Sequence, residues 1–190
     1  METKNIMIVG VGGQGSVLAS KLLGRLLLEE GYDVKVSEVH GMSQRGGSVV
    51  TYVRYGDRVA SPVIDEGEAD FIVSFELLEA ARWLPWLKKE GRIVTNIQQI
   101  DPMPVVIGAA SYPENLTEKL RSAGALVDAM DCVALAEEAG NVKAVNLVLL
   151  GRLSHYFDFS DEAWQKAIEA CVPARFLELN KKAFELGRKA

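Results

Sequence analysis

The chain has 190 residues, 48% of them hydrophobic and 25% charged, with 21 Lys and Arg against 26 Asp and Glu. That size and balance suit one globular domain and exclude a disordered chain. A net charge of −5 speaks against general nucleic-acid binding, which uses a basic face, while leaving room for a local basic pocket.

Residues 5–10 (NIMIVG) form a short apolar run closed by glycine, the pattern of a buried parallel strand. Residues 16–30 set Val17, Leu18, Leu22, Leu26 and Leu27 at helical spacing and stop at Gly31. Residues 33–39 predict a second strand, which completes a strand–helix–strand unit. A polar, glycine-rich loop at 40–47 then stands where a helix is expected. Residues 48–55 (SVVTYVRY) predict a strand, Gly56-Asp57 a turn, and 58–61 a short returning hairpin strand.

Alternation resumes with a strand at 70–75 and a helix at 76–88, in which Pro85 would make a kink or start a new turn. Strands at 92–96 and 105–107 follow, then a helix at 113–123 that opens on Pro113. A strand at 125–129 and a short helix at 132–139 close the sheet region. The remainder is helical: 141–157, then 161–170 capped by Ser160, then an amphipathic helix at 173–189. The expected fold is α/β, a three-layer Rossmann-like domain with a mostly parallel sheet. It carries a hairpin insertion after the second strand and a helical C-terminal segment. Residues 1–190 read as one domain, with the sheet in 1–140 and packed helices in 141–190.

Cys132 and Cys171 are the two cysteines, and His40 and His155 the two histidines. This excludes a Cys-only four-ligand zinc or iron–sulfur site within the chain and argues against a secreted disulfide scaffold. No metal site is expected. The first strand starts within a few residues of Met1, leaving no room for a secretory leader, and no run of about 18 apolar residues could cross a membrane. A cytoplasmic location is expected.

Two stretches carry chemistry. Gly10-Val11-Gly12-Gly13-Gln14-Gly15 fits G-x-G-x-x-G between a strand and a helix, where backbone N–H groups at the helix start face an anion. The rival reading is a glycine turn needed only for close packing. Glu38 ends the second strand and could take a ribose hydroxyl or simply pair with a nearby Arg. The second stretch is His40-Gly41-Met42-Ser43-Gln44-Arg45-Gly46-Gly47. Arg45 can hold a phosphate or carboxylate bidentately, and Gly46-Gly47 lets a ligand or partner backbone approach. Against this, Arg45 could merely pair with Glu38 or Asp33. Trp83 and Trp86 read as core or subunit contact. Asn96 and Asn146 read equally well as ligand contacts or internal partners. There is no G-x-x-x-x-G-K-[ST] loop, and Gly56-Asp57-Arg58 does not begin a GDG-type diphosphate motif. No catalytic residue is identified in this chain.

GVGGQG at 10–15, EVHGMSQRGG at 38–47 and KAVNLVLLG at 143–151 together resemble the gamma-type subunit or domain of the 2-oxoacid:ferredoxin oxidoreductases. The wording of the second motif points to the indolepyruvate branch. The resemblance implies a cytoplasmic complex with a larger subunit. That subunit would hold thiamine diphosphate, Mg2+ and [4Fe-4S] clusters. The complex would convert an aryl 2-oxoacid to its acyl-CoA while reducing ferredoxin, and this domain would handle coenzyme A and close the active site. Gly12, Gly13, Gln14 and Gly15 would then lie at the ligand cleft. His40, Ser43, Gln44, Arg45, Gly46 and Gly47 would face the partner's active site. Neither nucleic acid nor membrane is an expected partner. Two rivals stand beside this reading. A free-standing NAD-dependent dehydrogenase is supported by Gly10, Gly12, Gly15 and Glu38 and opposed by the hairpin. The other is a non-catalytic nucleotide- or coenzyme-A-binding protein.

Overall fold

The computed structural model describes residues 2–38, 43 and 45–190. Six strands form one sheet: β1 (Lys4–Val11), β2 (Asp33–Glu38), β3 (Ser48–Gly56), β4 (Ala69–Ser74), β5 (Leu87–Asn96) and β6 (Leu126–Met130). Their order across the sheet is β2-β3-β1-β4-β5-β6. β1, β4, β5 and β6 pair in parallel, whereas β3 runs antiparallel to both of its neighbours. The mixed sheet thus agrees with the expected fold class, but β1 and β2 are not adjacent. β3 inserts between them.

The helices are α1 (Ser16–Glu29), α2 (Leu77–Arg82), α3 (Met103–Val106), α4 (Leu116–Ser122), α5 (Cys132–Ala139), α6 (Val145–Leu153), α7 (Asp161–Cys171) and α8 (Leu177–Lys189). Ser160 caps α7 as expected, its hydroxyl accepting from the Ala163 N–H at 3.1 Å. Four local expectations fail, the first being the helix opening on Pro113, since α4 starts only at Leu116 with Asn115 as its N-cap. Residues 58–61 form no strand, so β3 itself is the returning arm of the hairpin. Residues 105–107 are not a strand, because Pro102 and Pro104 start the short helix α3, and both sit where a helix tolerates proline. The helix expected to run from 76 to 88 ends at Arg82, and β5 begins at Leu87 directly after the turn holding Pro85.

Strand alternation divides the core in two. Ile6, Ile8, Val73 and Val94 point toward α1 and α5–α8, in a large apolar layer centred on Leu147, Leu150, Trp164 and Phe184. Met7, Val9, Ile72 and Ile93 point the other way, toward α2 and α4, in a smaller layer with Ala80 and Leu120. On the large face α6 and α8 touch backbone to backbone. A Cβ built on Gly151 would lie 2.0 Å from the Phe184 carbonyl oxygen, and one on Gly187 would lie 2.0 Å from the Val148 oxygen. Only glycine fits at either crossing point.

Candidate functional site

The glycine turn joins β1 to α1. Gly13 (φ 100°) and Gly15 (φ 94°) both take the left-handed backbone that glycine adopts without penalty. A Cβ on Gly13 would meet nothing within 4 Å, so this position faces open space. One on Gly15 would lie 3.0 Å from Asn146 Nδ2, so this position faces inward. The first turn of α1 holds no acidic residue. Its leading N–H groups have no helical partners, and the helix dipole favours an anion there.

Gln14 does not reach out. Its Oε1 accepts from the Val11 N–H at 2.7 Å, and its Nε2 donates to the Phe75 carbonyl and to Gln98 Oε1, both at 3.1 Å. The side chain laces the turn to the C-terminal ends of β4 and β5. Asn96 and Asn146 are likewise engaged within the protein. Asn96 Nδ2 donates to the Phe75 carbonyl at 3.2 Å and its Oδ1 accepts from the Cys132 N–H at 3.1 Å. Asn146 lies under the turn, its amide 3.4 Å from the Gly15 carbonyl.

Two cavities flank the turn. One, of about 290 Å³, lies between Gly12, Gly13 and Ser16 on one side and Glu38 and Thr51 on the other. The second, of about 580 Å³, is bounded by Gly13, Gly15, Gln98, Ile100 and Lys143. It opens beyond the carboxyl ends of β1 and β5, the end where open α/β sheets take ligands. The two cavities differ in charge, since Glu38 borders the first and Lys143 the second. An anionic group is favoured on the Lys143 side.

Glu38 faces the glycine turn across the first cavity, with its carboxylate already engaged. Ser20 Oγ donates to its Oε1 at 2.6 Å. Because β3 separates β2 from β1, Glu38 stands two strand spacings from β1, roughly 10 Å, instead of one.

The pairing of β1 with β3 also unites the two sequence motifs. Val11 is opposite Ser48, and the Gly12 N–H donates to the Gly47 carbonyl at 2.9 Å. The Gly47 N–H returns to the Ser43 carbonyl at 3.0 Å, and a Cβ on Gly47 would crowd the Ser43 Cα at 3.1 Å. Arg45 and Gly46 are exposed beside this junction. His40 and Gln44 lie outside the described residues.

Sequence reasoning missed two buried carboxylates at the start of α2, Glu76 as its N-cap and Glu79 in its first turn. Glu76, 1% exposed, accepts the Glu79 N–H at 2.8 Å, the Ile100 N–H at 3.1 Å and the Tyr112 hydroxyl. Burial, and then Glu76 itself, push the Tyr112 phenol well above its ordinary range. Glu79, 4% exposed, accepts from the Ser48 hydroxyl and from Arg82 Nε at 3.0 Å. One helical turn therefore anchors both the base of the Arg45 loop and the segment after β5. The available signal was an acid directly after an apolar strand, at the ligand-binding end of the sheet.

Among the described residues, no group of three or more His, Cys, Asp or Glu is placed to share a metal ion. Cys132 is buried, and desolvation raises its thiol far above the ordinary value. Trp83 and Trp86 meet edge to face, with centroids 4.8 Å apart, beside the smaller core layer. His155 Nε2 contacts the Arg188 carbonyl. No helix among the described residues is long and apolar enough to cross a membrane.

Residues 5–190 match the family model for pyruvate ferredoxin/flavodoxin oxidoreductase. The chain is 46% identical to the indolepyruvate oxidoreductase subunit IorB of Thermococcus kodakarensis, covering 100% of this chain and 96% of that protein. The gamma subunit of keto/oxoacid ferredoxin oxidoreductase from Geobacter sulfurreducens superposes with a TM-score of 0.72 at 24% identity, over 98% of this chain and 96% of that one. The 2-oxoglutarate:ferredoxin oxidoreductase of Magnetococcus marinus, solved with 2-oxoglutarate, coenzyme A and succinyl-CoA, superposes with a TM-score of 0.74 at 18% identity. It covers 100% of this chain but only 31% of its own.

Proposed function

Because this chain belongs to the pyruvate ferredoxin/flavodoxin oxidoreductase family, we propose that it is the small gamma-type subunit of an indolepyruvate-type 2-oxoacid:ferredoxin oxidoreductase. A larger subunit carries thiamine diphosphate, Mg2+ and [4Fe-4S] clusters. The complex oxidatively decarboxylates an aryl 2-oxoacid, forms its acyl-CoA and reduces ferredoxin in the cytoplasm. Decarboxylation and electron transfer belong to the partner's cofactors. This chain supplies shape, charge and exclusion of water.

The observation that carries this reading is the union of the glycine turn with the Arg45 loop through the Gly12–Gly47 hydrogen bond. It sets a phosphate-favouring helix start beside an exposed guanidinium. Coenzyme A has phosphates suited to the Lys143 side of the turn, and Arg45 can meet a carboxylate or phosphate at the mouth. The catalytic protons and electrons do not pass through this chain. The dehydrogenase reading is disfavoured by β3, which holds Glu38 away from the position a ribose needs beside β1.

The test is reconstitution. The chain alone should neither oxidise indolepyruvate nor reduce ferredoxin. Addition of the larger subunit should make ferredoxin reduction depend on both indolepyruvate and coenzyme A. Gly13→Val, which directs a branched side chain into open space at the turn, should raise the KM for coenzyme A at least tenfold. Micromolar NADH binding by the isolated chain, measured by calorimetry, would restore the dehydrogenase reading.

A further inference from the structure

Gln98 follows the end of β5 and borders the cleft of about 580 Å³ together with Gly13 and Lys143. Its backbone is tied down, because its carbonyl accepts from the Leu77 N–H at 3.0 Å. Its side chain is tied down by two other amides. Gln14 Nε2 and Asn96 Nδ2 both donate to Gln98 Oε1, at 3.1 and 3.4 Å.

The sense of those two bonds is forced. Gln14 Oε1 is held by the Val11 N–H, and Asn96 Oδ1 by the Cys132 N–H. A backbone N–H can only donate, so each of these amides must turn its NH2 toward Gln98. Gln98 must then offer them its oxygen, which leaves its Nε2 and two donor hydrogens over. No described residue accepts from that nitrogen. The partnerless side-chain nitrogens that are sealed from solvent among the described residues belong to Trp83 and Trp164 instead. Gln98 Nε2 therefore reaches open space, and the cleft is the open space that Gln98 lines.

The rest of the wall limits what can accept from it. Ile100, Val133, Val142 and Val145 are apolar, Lys143 is cationic, and no acidic residue borders the cleft. An apolar cleft with one cation and one neutral donor fits a chain that is mostly uncharged, carries carbonyl oxygens and ends in phosphate. The pantetheine arm of coenzyme A has that chemistry, with two amide carbonyls between its thiol and its phosphates. We propose that Gln98 contacts the coenzyme directly, donating from Nε2 to an amide carbonyl oxygen of this arm, while Lys143 meets a phosphate. The proposal rests on the subunit reading above. A side chain already held by its neighbours loses little rotamer freedom on binding. It also rejects a ligand with no acceptor at this point, because its N–H would then be covered and unpaired. Gln14 and Asn96 act one step back, as the residues that keep the Gln98 amide in its donating sense.

The experiment uses the reconstituted complex with indolepyruvate, ferredoxin and coenzyme A. Gln98→Glu keeps an acceptor for Gln14 and Asn96 and exchanges the NH2 for an oxygen. Gln98→Met removes the donor without adding a charge. Both should raise the KM for coenzyme A at least about tenfold, with kcat and the KM for indolepyruvate within about twofold of wild type. A rise in Gln98→Glu alone would mean that a carboxylate repels a phosphate, and would overturn the proposal. So would an unchanged KM in Gln98→Glu, or a joint loss of kcat and melting temperature, which would make Gln98 a structural tie of the turn. Should Gln98→Met not fold, the ratio of the Gln98→Glu KM to the wild-type KM is measured in about 1 M salt, where charges are screened beyond about 3 Å. A persisting ratio supports the contact, and a vanishing one overturns it. None of these failures touches the subunit reading, which falls instead if wild-type ferredoxin reduction needs no coenzyme A.

Discussion

The two faces of the sheet are built differently. The face covered by α1 and α5–α8 is a deep apolar layer in which Trp164 and Phe184 are fully buried, and α6 and α8 touch through Gly151 and Gly187. The face covered by α2 and α4 is thinner, and beside it the start of α2 holds two buried carboxylates, Glu76 and Glu79. Apolar packing is non-directional and suits stability. Buried hydrogen-bonded acids are directional and suit the positioning of loops. The thick face therefore holds the fold, and the α2 corner positions the loops of the candidate site.

The strongest challenge to that division is Gly151→Val. Its Cβ would collide with the Phe184 carbonyl, and α6 and α8 must part. A loss above about 4 kcal/mol in urea unfolding is expected, at the far end of single-residue effects. A tolerated valine would show that the thick face is not the stabilising one.

Next comes Trp164. Trp164→Ala should destabilise by about 3–5 kcal/mol. Trp164→Phe should be far milder, because the buried indole N–H has no partner in the structure and its removal relieves an unsatisfied donor. Both values are read from denaturant midpoints.

On the α2 corner, Glu76→Gln should destabilise by roughly 1–3 kcal/mol, the range for disturbing a buried hydrogen-bonded group. Its signature is local. Amide exchange should accelerate at Ile100 and Leu78, whose N–H groups Glu76 and the adjoining Tyr112 hydroxyl hold, and remain slow in α8. Uniform acceleration would make Glu76 an ordinary core residue.

Arg45→Ala should leave stability within about 0.5 kcal/mol, as for an exposed loop position, while turnover of the assembled complex falls at least tenfold. Equal loss of both would move the Arg45 loop from the site to the scaffold.

The smallest expected effect concerns acid. Burial works to raise Asp128, but hydrogen bonds from Arg152 Nε and the Tyr156 hydroxyl, both 2.6 Å, outweigh it and hold the carboxyl below its usual range. A lowered folded pKa contributes stability above the unfolded value, near pH ~4, and loses it as pH falls through the folded value. Asp128→Asn should therefore lower the melting temperature slightly at neutral pH and flatten its decline below pH ~4. A parallel shift at every pH would remove this carboxylate from the acid response.

Much of this protein was legible along the chain, because hydrophobic periodicity and turn chemistry are local. The first strand and helix, the glycine turn, the Ser160 cap and helix α5 follow from neighbours within a few residues. The 105–107 strand was misread because three adjacent β-branched residues outweighed the two prolines that start a helix there. Strand order was not local. Only the antiparallel entry of β3 decided that Gly12 meets Gly47 and that the strand carrying Glu38 is not adjacent to β1. Glu76 and Tyr112 are 36 positions apart, and no periodicity links them. The tertiary structure makes them partners because parallel strands deliver the loops that follow them to the same end of the sheet, where buried polar groups must find one another.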